Sequence, residues 1–169
     1  MAHPLVLALF GDSTAAAAGA RALRDLGVPG RRVSIVARSH DEQVALARES
    51  GASPGSEIED SAPATRLGEL GGHLLAAIAV VMPGIGPIVA DGPLAAELGE
   101  AAGHLAGGIA RTLERAGMAK GDAHDWESRI QRGACLVGAH VEEPAQVSAA
   151  SDALAEAGAV QTVVGTWMD

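Results

Sequence analysis

Two pairs of a glutamate and a histidine have the spacing at which side chains on one helix face could bind a metal ion. Glu69 precedes His73 by four residues, and Glu100 precedes His104 by the same interval. Residues four apart share a helix face, so each pair would present a carboxylate and an imidazole together. Facing helices of bundles build metal and cofactor sites from such side chains. The four residues are therefore candidate ligands of a divalent metal or of haem. The alternative is that both pairs are solvated helix edges.

Such a site needs two helices that lie side by side, and the sequence predicts them around an apolar run. Residues 71–81 carry no formal charge when His73 is neutral, and the segment PGIGP then interrupts the run. Prolines remove backbone donors and glycines favour turns. We therefore expect a helix over 66–82, a tight bend, and a second helix over 93–115, which together bring the two Glu/His pairs level. The residues of the predicted bend are Pro83, Gly84, Gly86 and Pro87.

The apolar run is long enough to raise the question of a membrane span. About 20 apolar residues cross a bilayer, and 71–90 reach that length, but PGIGP falls in their middle and leaves each half too short. Charges on the second predicted helix, beginning with Glu97 and Glu100, weigh against insertion. We expect protein to bury the hairpin. Attachment to a membrane surface through a tip at 85–89 is the less favoured alternative.

Three glycines at intervals of four leave one face of the second predicted helix nearly bare. They are Gly99, Gly103 and Gly107. Each glycine costs roughly 0.8–1.0 kcal/mol relative to alanine inside a helix, so a close helix contact must offset the cost. Ladders of this kind let two backbones approach closely. The contact is predicted either within the hairpin or between copies, and a homo-oligomer, most simply a dimer, is the expected assembly.

Short apolar strands flank this region at both ends of the chain. The first half reads as a strand, a helix and a strand, at 5–10, 14–26 and 33–38, and the second half repeats the pattern at 134–141, 144–157 and 160–165. Two such units predict an α+β fold with a ferredoxin-like, split β-α-β sheet of about four strands, in which the first and third strands are central.

The predicted elements divide the chain into three parts of one composite domain. The first β-α-β half covers 1–39, a helical insertion with the glycine-zipper hairpin covers 40–132, and the second half covers 133–169. The insertion is expected to contain no strand.

Composition and charge exclude some classes of function. A net charge of −9 with scattered arginines is not that of a nucleic-acid binder. One cysteine excludes an internal disulfide, and the amino terminus lacks the basic segment and the long apolar core of a signal peptide. These features favour the reducing cytoplasm.

Several motifs lie along the chain: the bend at 83–87, Gly92-Pro93 and the glycine repeat, then Ala123 with Trp126, and Gly133 before Leu136-Val137. Together they resemble motifs of bacterial general-stress and heat-induced stress proteins of largely uncharacterised function. The resemblance covers most of the chain and rests on structural motifs. Trp126 stands where tyrosine is expected, and the second helix carries more charge than the usual glycine-rich version. The resemblance implies association with a stress response and no particular reaction.

Other chemistry-bearing residues point more weakly to a site. The segment GDAHDWESRI groups four candidate surface ligands, which are Asp122, His124, Asp125 and Glu127, although such a helix start usually serves capping. Trp126 is expected to anchor the core. Cys135 is expected to be a buried, inert thiol, and strand alternation places His140 on the opposite face, which disfavours a Cys/His dyad.

The sequence contains no catalytic motif that we recognise, so we predict that the protein is not an enzyme. The first hypothesis is a stress-associated protein that acts by self-association through the hairpin and the sheet. The alternatives are a metal- or haem-binding module that uses the Glu/His pairs, and a peripheral membrane protein.

Overall fold

The computed structural model of the protein describes residues 1–38, 78–82, 86–102 and 108–168, which form an α+β structure. The strands are β1 (Ala2–Phe10), β2 (Val33–Arg38), β3 (Ile78–Met82), β4 (Gly86–Asp91), β5 (Cys135–His140) and β6 (Gln161–Met168). The helices are α1 (Ser13–Asp25), α2 (Pro93–Ala102), α3 (Ile109–Arg115), α4 (Lys120–Gln131) and α5 (Pro144–Glu156), and a short 3-10 helix, Gly30–Arg32, precedes β2.

The six strands form one antiparallel sheet in the order β3-β4-β2-β5-β1-β6. The four strands of the two β-α-β halves are neighbours in the order β2-β5-β1-β6, so the predicted central position of the first and third strands is confirmed. The predicted number of about four strands is too low, because β3 and β4 extend the sheet beyond β2.

Helices cover both faces of the sheet. Along β1, even-numbered residues such as Val6 and Phe10 pack towards α1 and α5, while odd-numbered residues such as Leu5 and Leu9 pack towards α2, α3 and α4. A strand buried on both faces reads as a continuous apolar run. This explains why the central strands were the most apolar segments of the sequence.

The predicted helix over 66–82 is wrong at its carboxyl end, because Ile78–Met82 is a strand. It pairs with Gly86–Asp91 in an antiparallel hairpin that runs from Met82 opposite Gly86 to Ile78 opposite Ala90. Short apolar runs do not distinguish a helix from a buried strand by periodicity, and the β-branched residues of IAVV and of PIV favour the strand.

The apolar run folds back at its proline-glycine corner as predicted, but the corner joins two strands. Gly86 and Pro87 belong to β4, while Pro83 and Gly84 lie outside the described residues. Ile88 and Val89 are buried in the sheet, so the predicted membrane-touching tip at 85–89 is wrong for these two residues. In the described segments, no helix has the length and apolar character needed to cross a bilayer.

The continuous helix predicted over 93–115 is also wrong. Helix α2 ends at Ala102, and Gly108 has extended backbone angles, φ −135° and ψ −177°, immediately before α3. The Glu127 side chain accepts a hydrogen bond from the Ala110 amide at 2.8 Å and so caps α3 from α4. Glycine-rich sequence lowers helix stability here, and this external cap lets a new helix begin.

The glycine ladder stays a prediction. Gly99 is exposed on α2, and Gly103 and Gly107 lie outside the described residues. The domain boundaries at 39/40 and 132/133 stay predictions as well. The expectation that the insertion 40–132 contains no strand is wrong, since it contributes β3 and β4 to the sheet.

Candidate functional site

Three polar side chains from three strands meet on the face of the sheet that α2, α3 and α4 cover. Ser34 Oγ lies 2.9 Å from His140 Nε2, and His140 Nδ1 lies 3.1 Å from His3 Nε2. Ser34 has 0% of its surface exposed, and His140 is buried almost as completely. Side chains of serine and histidine are unusual in strands that are otherwise apolar. The three residues form a hydrogen-bonded chain across β2, β5 and β1.

Strand alternation and one glycine make room for this chain. Ser34 lies opposite Gly138 in the β2–β5 register, and Gly138 lies two residues before His140 on the same face. A Cβ on Gly138 would already contact the Ser34 Cβ at 3.4 Å. The absence of a side chain at Gly138 therefore leaves the space in which Ser34 and His140 meet.

The Ser34 hydroxyl also connects the sheet to α2. It accepts a hydrogen bond from the Leu94 amide at 3.1 Å, and Leu94 is the second residue of α2. The first amides of a helix have no partner within the helix, so Ser34 performs from β2 the role of an N-cap. The adjacent Asp91 carboxylate accepts a hydrogen bond from the Gly92 amide at 2.7 Å, which fixes the turn between β4 and α2.

Aromatic contacts close the cluster on its outer side. The rings of His3 and His140 meet at 60° with centroids 5.3 Å apart, and the rings of His140 and Trp167 meet at 85° with centroids 5.5 Å apart. Edge-to-face geometry of this kind is favourable for aromatic pairs. Trp167 belongs to β6, so the column of rings extends from β5 across β1 to the edge of the sheet.

The Ser34–His140–His3 chain has the connectivity of a proton relay, but its geometry is that of a structural junction. A serine with no exposed surface offers a substrate no approach to the hydroxyl. His3 Nε2 and His140 Nδ1 form a hydrogen bond only when one of them carries a proton and the other accepts it. The contact is therefore incompatible with a proton on both nitrogens. The cluster therefore joins β1, β2, β5 and α2, and it provides no nucleophile.

Of the predicted metal ligands, only one has a backbone that the structure describes. Glu100 lies in α2, and its side chain, together with Glu69, His73 and His104, lies outside the described residues. The predicted first helix is wrong at 78–82, which is a strand, and its part around Glu69 and His73 lies outside the described residues. In the described ranges, no three potential ligands form a group that could hold a metal ion.

The second predicted ligand group, at the start of α4, forms separate local contacts. Asp125 pairs with Arg129 at 2.8 Å, His124 Nδ1 lies 2.8 Å from the Lys120 carbonyl oxygen, and Glu127 caps α3. Asp122 lies in the first turn of α4, where an acidic side chain interacts favourably with the helix dipole. The dipole placement expected at the start of α4 is thus confirmed for Asp122, whereas no side chain caps α4 itself.

Trp126 anchors the core and Cys135 is buried, as expected. Trp126 is completely buried and donates its indole N–H to Gln161 Oε1 at 2.9 Å. Cys135 is buried on the α1/α5 face, whereas His140 contacts Ser34 on the other face, so the two residues form no dyad. Burial, with a smaller effect of the Asp12 carboxylate, raises the pKa of the Cys135 thiol to about 12.

The Cys135 thiol is expected to resist alkylation in the folded protein. Raising the pKa from 9.0 to about 12 leaves roughly a thousandfold less thiolate at pH 8. Iodoacetamide labelling followed by mass spectrometry should show slow modification in buffer and fast modification in guanidinium chloride. The neutral thiol stabilises the fold fully below pH 9, and this contribution is lost as the pH rises towards 12. Equal labelling rates in both solutions would contradict the burial.

Strand β6 forms the second feature of interest, an edge of the sheet with exposed apolar side chains. Four of the five exposed large hydrophobic side chains in the described ranges belong to β6 or lie beside its ends: Met1, Val160, Val164 and Met168. The Thr166 amide donates to the Ala116 carbonyl oxygen at 2.9 Å, on the side of β6 that faces away from β1. By alternation, the amides of Thr162 and Val164 point to the same outer side.

The fold and these features define an α+β protein with a six-stranded antiparallel sheet, helices on both faces, and apolar sequences in both edge strands, β3 and β6. Comparison of the chain with protein-family models, with curated proteins and with solved structures gives no match.

Proposed function

We propose that this protein is a non-enzymatic, self-associating protein whose copies pair through the outer edge of β6. The observation that carries the proposal is the position of the exposed large apolar side chains, which concentrate at this edge among the side chains that the structure describes. The helical hairpin, which the sequence analysis named as the other contact surface, has no part in the proposal, because its first predicted helix ends as a strand.

The composition of β6 supports pairing with another chain. Natural edge strands are usually protected from pairing by charged residues, prolines or bulges. The sequence QTVVGTWM of β6 contains no charged residue and no proline. Val164 is 53% exposed and leaves a large part of its apolar surface in water. A second strand would cover that surface and bond the outward amides.

The loop after α3 restricts where a second copy can bind. The Ala116 carbonyl oxygen accepts from the Thr166 amide, and a Cβ on Gly165 would overlap that oxygen. The loop therefore covers the outer side of β6 near its carboxyl end and leaves 161–164 accessible to a partner strand, while the Val160 amide already donates to the Leu9 carbonyl oxygen of β1. If two copies pair about a two-fold axis at Thr162, the partner strand of each copy avoids the loop after α3 of the other.

This arrangement gives a definite register. On each side of the axis, Val160 of one copy lies opposite Val164 of the other. On the axis, Thr162 lies opposite Thr162 of the second copy. Cross-strand pairs of β-branched side chains contribute roughly 0.2–1 kcal/mol each. An isologous contact of this kind closes as a dimer, and the two sheets become one continuous sheet.

The resemblance to stress proteins supports a role of the proposed dimer in a stress response. The resembling motifs are structural, which agrees with a protein that acts by assembly and not by catalysis. The single buried cysteine and the acidic surface support a cytoplasmic location as part of the same proposal.

Replacing Val164 with lysine is expected to convert the dimer into a monomer. The substitution places a charge opposite Val160 of the second copy at both symmetry-related positions and removes the apolar contact. We expect the dissociation constant to rise at least tenfold, which corresponds to about 1.4 kcal/mol. Sedimentation velocity over a concentration series measures this change.

The matched control is Leu26→Lys, since Leu26 is 49% exposed but lies at the end of α1 and not on β6. This variant should dimerise like the unchanged protein. A second variant, Thr162→Pro, removes one outward amide from an edge position that tolerates proline, and it should weaken the dimer as well. A protein that remains monomeric at about 1 mM, or a dimer unaffected by both β6 substitutions, would refute the proposal.

A further inference from the structure

A cavity of about 180 Å³ lies between the turn that follows α1 and the beginning of α5. Apolar side chains from the turn and from α5 line it, among them Leu26, Val28 and Ala150. Pockets that enclose drug-sized molecules occupy about 300–1,000 Å³. This cavity therefore fits a molecule smaller than a typical drug. It lies apart from β6, and the end of β5, at His140 and Val141, forms part of its wall.

Positive charge at the cavity contrasts with the charge of the whole chain. The protein has a net charge of −9, yet Arg31 and Arg32 both line this cavity. Arg32 forms an ion pair with Glu142, which also lines the cavity. Arg31 is exposed and makes no hydrogen bond or ion pair with any residue that the structure describes. One guanidinium group at the cavity is thus available to a ligand.

We infer that this cavity binds a small aliphatic monocarboxylate, with its carboxylate at Arg31 and its hydrocarbon chain between the turn and α5. A guanidinium group offers two parallel N–H donors that match the two oxygens of a carboxylate. The neighbouring Arg32 adds positive charge, and its pairing with Glu142 leaves Arg31 as the direct partner. The apolar wall removes the hydrocarbon chain from water, at roughly 25 cal/mol per Å² of apolar surface.

The inference depends on both ends of the ligand, so three probes separate their contributions. Isothermal titration calorimetry of the full chain with hexanoate should give saturable binding. Hexylamine keeps the hydrocarbon chain and reverses the charge, and acetate keeps the charge and removes most of the chain. Both should bind at least tenfold more weakly than hexanoate. Equal affinity for hexanoate and hexylamine, or no saturable binding of hexanoate, would overturn the inference.

Substitutions locate the binding to this cavity. Arg31→Ala should weaken hexanoate binding at least tenfold, while the matched control Arg21→Ala, an exposed arginine of α1 outside the cavity, should leave it unchanged. Ala149→Leu places a larger side chain at the cavity from the exposed side of α5 and should also weaken binding. Unaltered affinity in both cavity variants, with native circular dichroism, would refute this location. Val164→Lys should bind hexanoate normally, since β6 does not line the cavity.

Discussion

Replacing Gly92 with alanine is expected to lower the free energy of unfolding by about 3–5 kcal/mol. Gly92 has φ +78°, a backbone conformation that side-chain-bearing residues rarely adopt. A Cβ at this position would overlap the Val33 carbonyl oxygen and lie 2.8 Å from the Ser34 Cα. These neighbours are backbone atoms of a central part of the sheet and cannot move aside without disturbing β2.

The same substitution should disturb the buried junction. Gly92 turns the chain from β4 into α2, and Ser34 bonds the Leu94 amide two residues later. Displacing Gly92 would therefore weaken the cap of α2 and the contact of Ser34 with His140. Urea unfolding followed by circular dichroism measures the loss, and the NMR shifts of the His140 ring should change in the folded fraction.

Gly27→Ala is the matched control for backbone conformation. Gly27 has φ +86°, close to that of Gly92, but no heavy atom lies within 4 Å of a Cβ built there. This variant should lose only the conformational term, about 1–2 kcal/mol. If Gly92→Ala costs no more than Gly27→Ala, the close approach between the β4–α2 turn and β2 is wrong.

Truncating Trp126 to alanine is expected to cost about 3–5 kcal/mol. Trp126 is the largest fully buried side chain in the described ranges, and it fills the core between α4 and the sheet. With only 2% aromatic residues in the chain, few neighbours can move into the cavity that alanine leaves. Urea unfolding should show a lower midpoint with little change in the slope of the transition.

Two further variants separate the volume of Trp126 from its hydrogen bond. Trp126→Phe keeps much of the volume and removes the indole donor, so it should lose much less stability than Trp126→Ala. Gln161→Ala removes the acceptor at the start of β6, and a buried indole N–H without a partner costs about 1–3 kcal/mol. A loss in Trp126→Ala below 1 kcal/mol would show that the residue does not anchor this core.

The parts of the fold that the sequence predicted are those with several agreeing local signals. The first helix has a cap at Asp12, which accepts from the Ala15 amide at 2.8 Å, and its neighbouring strands are compact and apolar. Helix α5, before β6, ends at Glu156, and Gly158 follows it with φ +104°. In both halves, the helix caps, the apolar periodicity and the β-branched residues indicate the same strands and helices. The order of these elements and the central position of β1 and β5 could therefore be predicted.

In the region around 78–91, the local sequence signals for helix and for strand disagreed. Its apolar residues fitted a helical stripe, while its β-branched content favoured strands, and only pairing with β2 decides between them. The Val36–Ala90 pairing joins residues more than 50 positions apart, and no local pattern reports it. Packing of α2 on this part of the sheet then buries Ile88 and Ala90 completely.

The polar cluster was not predicted for the same reason. His3, Ser34 and His140 come from three strands whose registers are set by long-range pairing. One signal was present in the sequence, since each of these polar residues interrupts an apolar strand. Knowing the strand order would have placed Ser34 opposite Gly138 and beside His140, so topology was the missing information.

The most direct test of the proposed self-association is amide hydrogen exchange of β6, measured by NMR at several protein concentrations. Because the Thr162 and Val164 amides point away from β1, they have no partner strand in a single copy. The account predicts that both amides become protected as the concentration rises, while their exchange in Val164→Lys stays fast. Fast exchange of both amides at every concentration, in a protein whose β1 and β5 amides are protected, would contradict it.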